Sequence, residues 1–135
     1  MNIIFIASSS DWHIDAWVQY FTDKHNVYLF TDKEDYKKNM SYNGVTVIEV
    51  ESYFSSILNI LKVKSHKIHQ INKLFLVRHY AKMLDYYIKD LKIDIVHAHS
   101  LYYGYLCSYI KSNVPVIFTP MGSDIIRHAQ SNPLY

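Results

Sequence analysis

The chain has 135 residues, the length of a single domain, and half of its residues are hydrophobic, so we expect a folded and not a disordered protein. The only cysteine, Cys107, excludes an internal disulfide framework and a zinc site built from cysteines, and it is typical of a reducing compartment. The net charge of +2 is uneven: residues 62–92 hold eight basic and two acidic side chains, or +6, against −4 for the rest.

Strand and helix patterns alternate along the chain. Short apolar runs predict five strands, at residues 2–7, 26–31, 45–50, 94–99 and 114–119. Helices are predicted at residues 13–24, 52–61, 71–91 and 101–111, and another begins at Ser123, a natural N-cap, and extends to residue 130. This alternation predicts one α/β domain over 1–135, with a doubly wound, mostly parallel sheet of about five strands and helices on both faces.

The first predicted helix has a single apolar stripe. Ile14, Trp17, Val18 and Phe21 follow the i, i+3, i+4, i+7 spacing of one helical face. The first strand before it, "NIIFIA", has no basic segment in front, so it is interpreted as a strand and not as a signal peptide. No stretch approaches about 18 uninterrupted apolar residues, so no membrane span is expected.

Polar side chains follow three of the strands. They occur in "SSSDWH" (8–13), "HAHS" (97–100) and "PMGSD" (120–124). Ligands of doubly wound sheets bind at the carboxyl ends of the strands. In a strand order of 3-2-1-4-5 these three loops would be neighbours, so we expect a ligand site there.

Two interpretations are open for the first of these loops. Its position at a helix N-terminus suits an anion, but Ser10 or Asp11 would also serve simply as the helix cap. The loop lacks G-x-G-x-x-G, so the dinucleotide fingerprint is absent. His13 could donate to a hydroxyl or phosphate, or be a surface histidine without a task.

His97 and His99 lie two apart on one strand and therefore point to the same face. Two ligands are too few to predict a metal, so no metal site is expected. We expect His97 to pack under the sheet with a hydrogen bond, and His99 to face the site from the tip of its strand. Gly122 permits a positive φ or the close approach of a ligand, and its alternative is a plain turn.

The basic stretch suits an anionic membrane surface or is an ordinary solvated helix face. The residues that we expect at such a surface are Lys62, Lys64, Lys67 and Lys73. No recognition module for nucleic acid is found, so nucleic acid is not an expected partner.

Three segments together resemble one family. "DIVHAHSLYYGYL" followed by "VPVIFTPMGSDI" resembles the N-terminal domain of glycosyltransferase family 4, in the GT-B superfamily. "SSSDWHIDAWVQYFTDKHNVYLFT" is similar to the opening of that family. The resemblance covers nearly the whole chain, and the order and spacing of the segments are more specific than any one of them.

The resemblance implies a Rossmann-like GT-B N-terminal domain that binds a sugar, polysaccharide or lipid-linked acceptor. A nucleotide-sugar donor would bind to a second domain, which we expect to be absent from 1–135, so this domain should bind no cofactor and be inactive alone as a hexosyltransferase. Many members sit on the inner membrane face, which implies a cytoplasmic protein with peripheral attachment. The alternative is a non-catalytic, membrane-associated subunit that recruits a donor-binding partner chain. A weaker alternative is a flavodoxin-like or nucleotide-binding domain unrelated to sugars.

By the same resemblance, the residues expected to bind the acceptor are Ser9, Ser10, His13, His99, Gly122, Ser123 and Asp124. The chain departs from the family at one position: many members have histidine immediately before that glycine, and here Met121 stands there. Methionine can act neither as a base nor as a hydrogen-bond donor. A histidine role would therefore fall to His99, His13 or His128, of which we expect His99 and His13 to be catalytic.

Overall fold

The computed structural model describes residues 1–8, 12–32, 43–50 and 66–122, and of Trp12 and residues 66–75 only their place in a helix. In chain order the elements are β1 (Asn2–Ile6), α1 (Trp12–Thr22), β2 (Asn26–Asp32), β3 (Val45–Val50), α2 (His66–Asp90), β4 (Ile95–His99), α3 (Leu101–Cys107) and β5 (Val116–Thr119). The helices predicted at residues 52–61 and from Ser123 lie outside the described residues.

The five strands form one sheet in the order β3-β2-β1-β4-β5, and all neighbouring pairs are parallel. In the register of the central strand, Ile3 lies between Val27 of β2 and Ile95 of β4. Farther out, Ala98 of β4 pairs with Phe118 of β5. The prediction of a mostly parallel, doubly wound sheet is confirmed, and the observed order is the one in which the three polar loops would be neighbours.

Alternate residues of β1 belong to two separate cores. Ile3 and Phe5 pack with Ile14 and Val18 of α1 on one face of the sheet. Ile4 and Ile6 pack on the other face, which α2 and α3 cover with side chains that include Leu84 and Leu106. Because both faces exclude water, a strand in this position must be apolar at its buried residues, as residues 3–6 of β1 are, and the polar Asn2 lies at its half-buried start. The prediction of helices on both faces is confirmed.

The ends of several elements differ from the sequence-based prediction. Helix α2 begins at His66 and not at residue 71, and β5 begins at Val116 and not at residue 114. Pro115 has no N–H to give to a strand ladder, although its carbonyl accepts a hydrogen bond of 3.0 Å from the N–H of Val96. Helix α3 ends at Cys107 and not at residue 111, because the chain there tightens into a turn.

Asp85 of α2 holds the chain that follows this turn. Its carboxylate accepts the N–H of Lys111 at 3.0 and 2.9 Å and the N–H of Ser112 at 2.9 Å. Burial acts to raise the pKa of Asp85, but the hydrogen bonds from Ser112 and Lys111, together with the charge of Lys89, outweigh it and lower that pKa. The carboxylate is thus ionised at neutral pH, and it fixes the loop between α3 and β5 onto α2.

Gly104 allows α3 to approach β5. A Cβ atom at this position would lie 2.6 Å from the ring of Phe118, which is closer than carbon atoms pack. The helix therefore forms with a glycine in its interior, although glycine disfavours helices. Among the described strands β5 is at the edge of the sheet, and Val116, Ile117 and Phe118 are 42, 49 and 41% exposed.

His97 is buried and hydrogen-bonded, as predicted. Its Nε2 lies 2.9 Å from Oγ1 of Thr119, which links β4 to β5 through side chains. The ring also packs against Phe5, with 5.1 Å between the ring centroids. Burial lowers the pKa of His97 from its usual 6.5, since the apolar surroundings disfavour the charged imidazolium.

We predict that Asp85→Ala lowers the free energy of unfolding by about 2 kcal/mol, because three N–H contacts to a charged acceptor are lost. Asp85→Asn should lose less, since one amide oxygen can still accept. Urea denaturation at neutral pH measures both. Asp90→Ala, which changes an exposed residue of the same helix, is the matched control and should stay within about 0.5 kcal/mol of wild type.

The second prediction concerns acid. The pKa of His97 is lower in the folded than in the unfolded chain, so the unfolded chain takes up a proton first as the pH falls below 6.5. The free energy of unfolding should therefore decrease between pH 6.5 and the lower folded pKa, and His97→Gln should remove that part of the decrease. Denaturation at several pH values measures it. Parallel pH profiles of the two proteins would contradict the assignment to His97.

Candidate functional site

The carboxyl ends of β1, β4 and β5 lie side by side, because these three strands are neighbours in the sheet. Ala7 and Ser8 follow β1, Ser100 follows β4, and Met121 follows β5. The N–H of Ser100 donates to the carbonyl of Thr119 at 3.1 Å, so the ends of β4 and β5 are joined directly. The predicted neighbourhood of the three strand ends is confirmed.

The opposite edge of the sheet is closed by structural hydrogen bonds. The Asn2 side chain donates to the carbonyls of Leu91 at 2.8 Å and Lys92 at 3.1 Å, and its oxygen accepts from Asn26 at 2.8 Å. The N–H of Asn2 donates to the Asp94 carboxylate at 2.7 Å. These contacts use the polar groups to tie strand ends together, which leaves the carboxyl edge as the better place for a ligand.

Ser100 has a backbone conformation that is rare outside glycine. Its φ of 77° and ψ of 156° fall in a region that side chains disfavour, at a cost of about 1–3 kcal/mol. The carbonyl of Ser100 accepts the N–H of Gly104 at 3.1 Å, but its side chain makes no capping hydrogen bond to α3. Strain of this kind clusters at functional sites. No sequence pattern predicts this conformation, because serine is common in loops.

His99 lies at the tip of β4 but is only 1% exposed. Its ring centroid is 4.5 Å from that of His97, 5.5 Å from Trp17 and 6.0 Å from Phe5. The imidazole is therefore covered, because residues two apart on a strand share a face and both histidines pack beneath α1. The sequence predicts that His99 faces the site from the tip of its strand. In the structure the imidazole is covered, so a ligand would reach it only past these rings. Its catalytic role stays a prediction.

His13 lies in the first turn of α1, on the side where β1 ends, and its side chain is exposed. Its catalytic and acceptor-binding roles stay predictions. Four other predicted acceptor contacts lie outside the described residues: Ser9, Ser10, Ser123 and Asp124. His128 lies outside them as well.

Gly122 is exposed, and a Cβ atom built on it would meet no atom of the described residues within 4 Å. Among the described glycines a positive φ occurs at Gly44, where it is 76°. Of the alternatives left open for Gly122, a positive φ does not occur, because the residue has helical conformation. Close approach of a ligand stays a prediction.

Trp17 is more exposed than the sequence pattern predicts. It was expected in the apolar stripe of α1, yet it is 42% exposed, whereas Ile14 and Val18 are fully buried. The indole meets the rings of His97 and His99 nearly edge-on, at 5.2 and 5.5 Å between centroids. On a helical wheel Trp17 stands at one border of the stripe, so it reaches sideways towards β4 and remains partly open to solvent.

The structure describes no side chain of the four lysines that we expect at a membrane surface. Lys62 and Lys64 lie outside the described residues, and Lys67 and Lys73 belong to α2 with undescribed side chains. Exposed basic residues that are described on α2 are Arg78, Lys82 and Lys89. Attachment to an anionic membrane stays a prediction. No helix in the described ranges is both long and apolar enough to cross a membrane.

Among the described side chains there is neither a metal-binding group nor a reactive thiol. Within the described ranges no three histidine, cysteine, aspartate or glutamate residues are grouped so that they could hold a metal ion. Burial raises the pKa of Cys107 to about 12, so its thiol stays protonated and is a poor nucleophile at neutral pH.

Comparison with known proteins agrees with the resemblance seen in the sequence. The family model described as glycosyl transferase 4-like matches residues 2–135, which includes all five strands and the three strand ends. A comparison with curated proteins found no match to this chain. Nothing in these findings supports the alternative of a non-catalytic subunit. The chain belongs to the glycosyl transferase 4-like family, a family of sugar transferases.

Proposed function

We propose that this chain is the acceptor-binding half of a sugar transferase, which holds a polysaccharide or lipid-linked acceptor while a glycosyl group arrives from a nucleotide-sugar. The observation that carries the proposal is the adjacency of the carboxyl ends of β1, β4 and β5. Ligands of doubly wound sheets bind at this edge, and the strained backbone of Ser100 lies in its middle. Membership of the family supplies the reaction class.

In this proposal the histidines have different roles. His13 is exposed beside the end of β1, so it contacts the acceptor hydroxyl and accepts its proton. The acceptor oxygen then bonds to the sugar as the bond between the sugar and the donor's phosphate breaks, and the nucleotide leaves with its phosphate. His99 is covered, so it acts from beneath as a positioning residue for the aromatic rings around it. Gly122 has no Cβ, and no described residue fills the place of one, so the acceptor can approach the backbone there. The proposal extends to Ser9, Ser10, Ser123 and Asp124, which are next to these residues in the chain.

The donor belongs to a separate domain or partner chain in this proposal, so these 135 residues alone bind no nucleotide-sugar and transfer no sugar. The loop after β1 supports this, because it lacks the glycine-rich fingerprint with which such sheets bind dinucleotides. A cleft between two domains would also explain why polar groups concentrate at one edge of the sheet.

Chemical-shift mapping on the ¹⁵N-labelled chain tests the acceptor site. Methyl glycosides of common hexopyranoses should shift the amide signals of Ser8, Ser100 and Gly122, at the carboxyl edge, in a saturable way. The amides of Asn2 and Asp94, at the opposite edge, are the internal control and should not move. Saturable shifts confined to the opposite edge, or no shift with any glycoside, would sink the proposal. Tight binding of a nucleotide or flavin instead would favour a nucleotide-binding domain.

Ser100→Gly separates stability from binding. Glycine adopts the conformation of residue 100 without the side-chain clash, so we expect the free energy of unfolding to rise by about 1 kcal/mol. The same change frees the backbone between β4 and α3, so the affinity for a glycoside that shifts the site amides should fall. Urea denaturation and the titration above measure the two effects. A variant that is more stable and binds equally well would show that the strain serves no ligand.

A further inference from the structure

Trp17 is an exposed aromatic side chain at the border of the proposed acceptor site. It projects from α1 and reaches the last residue of β4, His99, which immediately precedes the strained Ser100. With 42% of its surface exposed, the indole offers an apolar area that the protein itself does not cover.

The groups beneath and beside the indole fix its position. The rings of His97 and His99 support it from below, at 5.2 and 5.5 Å between centroids. His97 is in turn held by Thr119, and Ile117 on the same face of β5 is 49% exposed. The result is an aromatic surface with a rigid support, next to an exposed aliphatic residue and the polar end of β4.

An exposed aromatic side chain on a helix often binds no ligand, and Tyr20 of α1 serves as the comparison with Trp17. Tyr20 is 79% exposed, but its one ring contact among the described residues is with Phe21 of the same helix, at 5.1 Å. Trp17 differs because its ring contacts are with β4, at the carboxyl edge of the sheet. Of these two exposed rings, only that of Trp17 contacts a strand that ends at the candidate site.

We propose that Trp17 is the platform on which the ring of the acceptor sugar stacks, and that it selects pyranosides whose ring substituents are equatorial. Such a sugar presents a flat face of axial C–H groups, which gains dispersion and hydrophobic contact on an indole. Its hydroxyls project around the rim of the sugar ring, where the polar groups at the end of β4 can reach them. The inference rests on the proposed acceptor site and names the sugar geometry that this site takes.

The indole N–H signals of the ¹⁵N-labelled wild-type chain test the inference. The chain has two tryptophans, Trp12 and Trp17, and the Trp17 signal is assigned by its loss in Trp17→Phe. Methyl β-D-glucopyranoside, with equatorial substituents, should shift that signal saturably, with the same dissociation constant as the Ser100 amide. Methyl α-D-mannopyranoside, whose axial 2-hydroxyl and aglycone interrupt the apolar faces, should bind roughly five-fold more weakly.

The variants are read at the Ser100 amide, which is independent of the indole signal. Trp17→Ala should weaken methyl β-D-glucopyranoside binding about ten-fold, and Tyr20→Ala, the matched control on α1, should stay within about two-fold of wild type. Trp17→Phe keeps a ring but offers a smaller flat surface, so an intermediate affinity is expected. It serves as the second variant if Trp17→Ala does not fold.

Three results would overturn the inference. If the site amides shift while the Trp17 signal does not, or if Trp17→Ala or Trp17→Phe binds as tightly as wild type, the acceptor site survives and its platform lies elsewhere. If the two glycosides bind equally well, Trp17 does not select equatorial substituents. If no glycoside shifts any amide at the carboxyl edge, the proposed acceptor site fails, and the platform fails with it.

Discussion

Strand β1 is buried on both faces and paired along both edges, and the other elements pack around it. Its odd residues pack under α1 and its even residues under α2 and α3, while β2 and β4 pair with its two edges. With β1 at the centre, the order of the sheet brings the ends of β1, β4 and β5 together. The position of the candidate site therefore follows from the packing of one short apolar strand.

The two edges of the sheet show how polar groups are divided between structure and function. At the amino edge, Asn2 joins β1 to β2 and to the turn before β4. At the carboxyl edge, a link between β4 and β5 is made by the backbone of Ser100, whose conformation is strained. Hydrogen bonds that tie strands together stabilise the fold, whereas strain at the other edge lowers stability. A site that binds a ligand gives a physical reason for such strain to persist.

The aromatic cluster links the core to this site. Phe5, His97 and His99 are buried together under α1, and Trp17 covers the two histidines from the border of the helix. Imidazole rings in such a place are mostly apolar supports, which is consistent with the lowered pKa of His97. The cluster therefore connects the hydrophobic packing of α1 directly to the end of β4. A substitution in this part of the core would shift the groups at the candidate site.

The α/β class, the five strands, the burial of His97 and the family could be predicted from the sequence, because apolar period and motif spacing are local properties of the chain. The end of α3, the exposure of Trp17, the burial of His99 and the conformation of Ser100 could not. Each of these depends on a partner distant in sequence: Asp85 holds Lys111, α1 covers β4, and β5 draws Ser100 to Thr119. Such contacts exist only once the sheet has formed, so local sequence patterns cannot predict them.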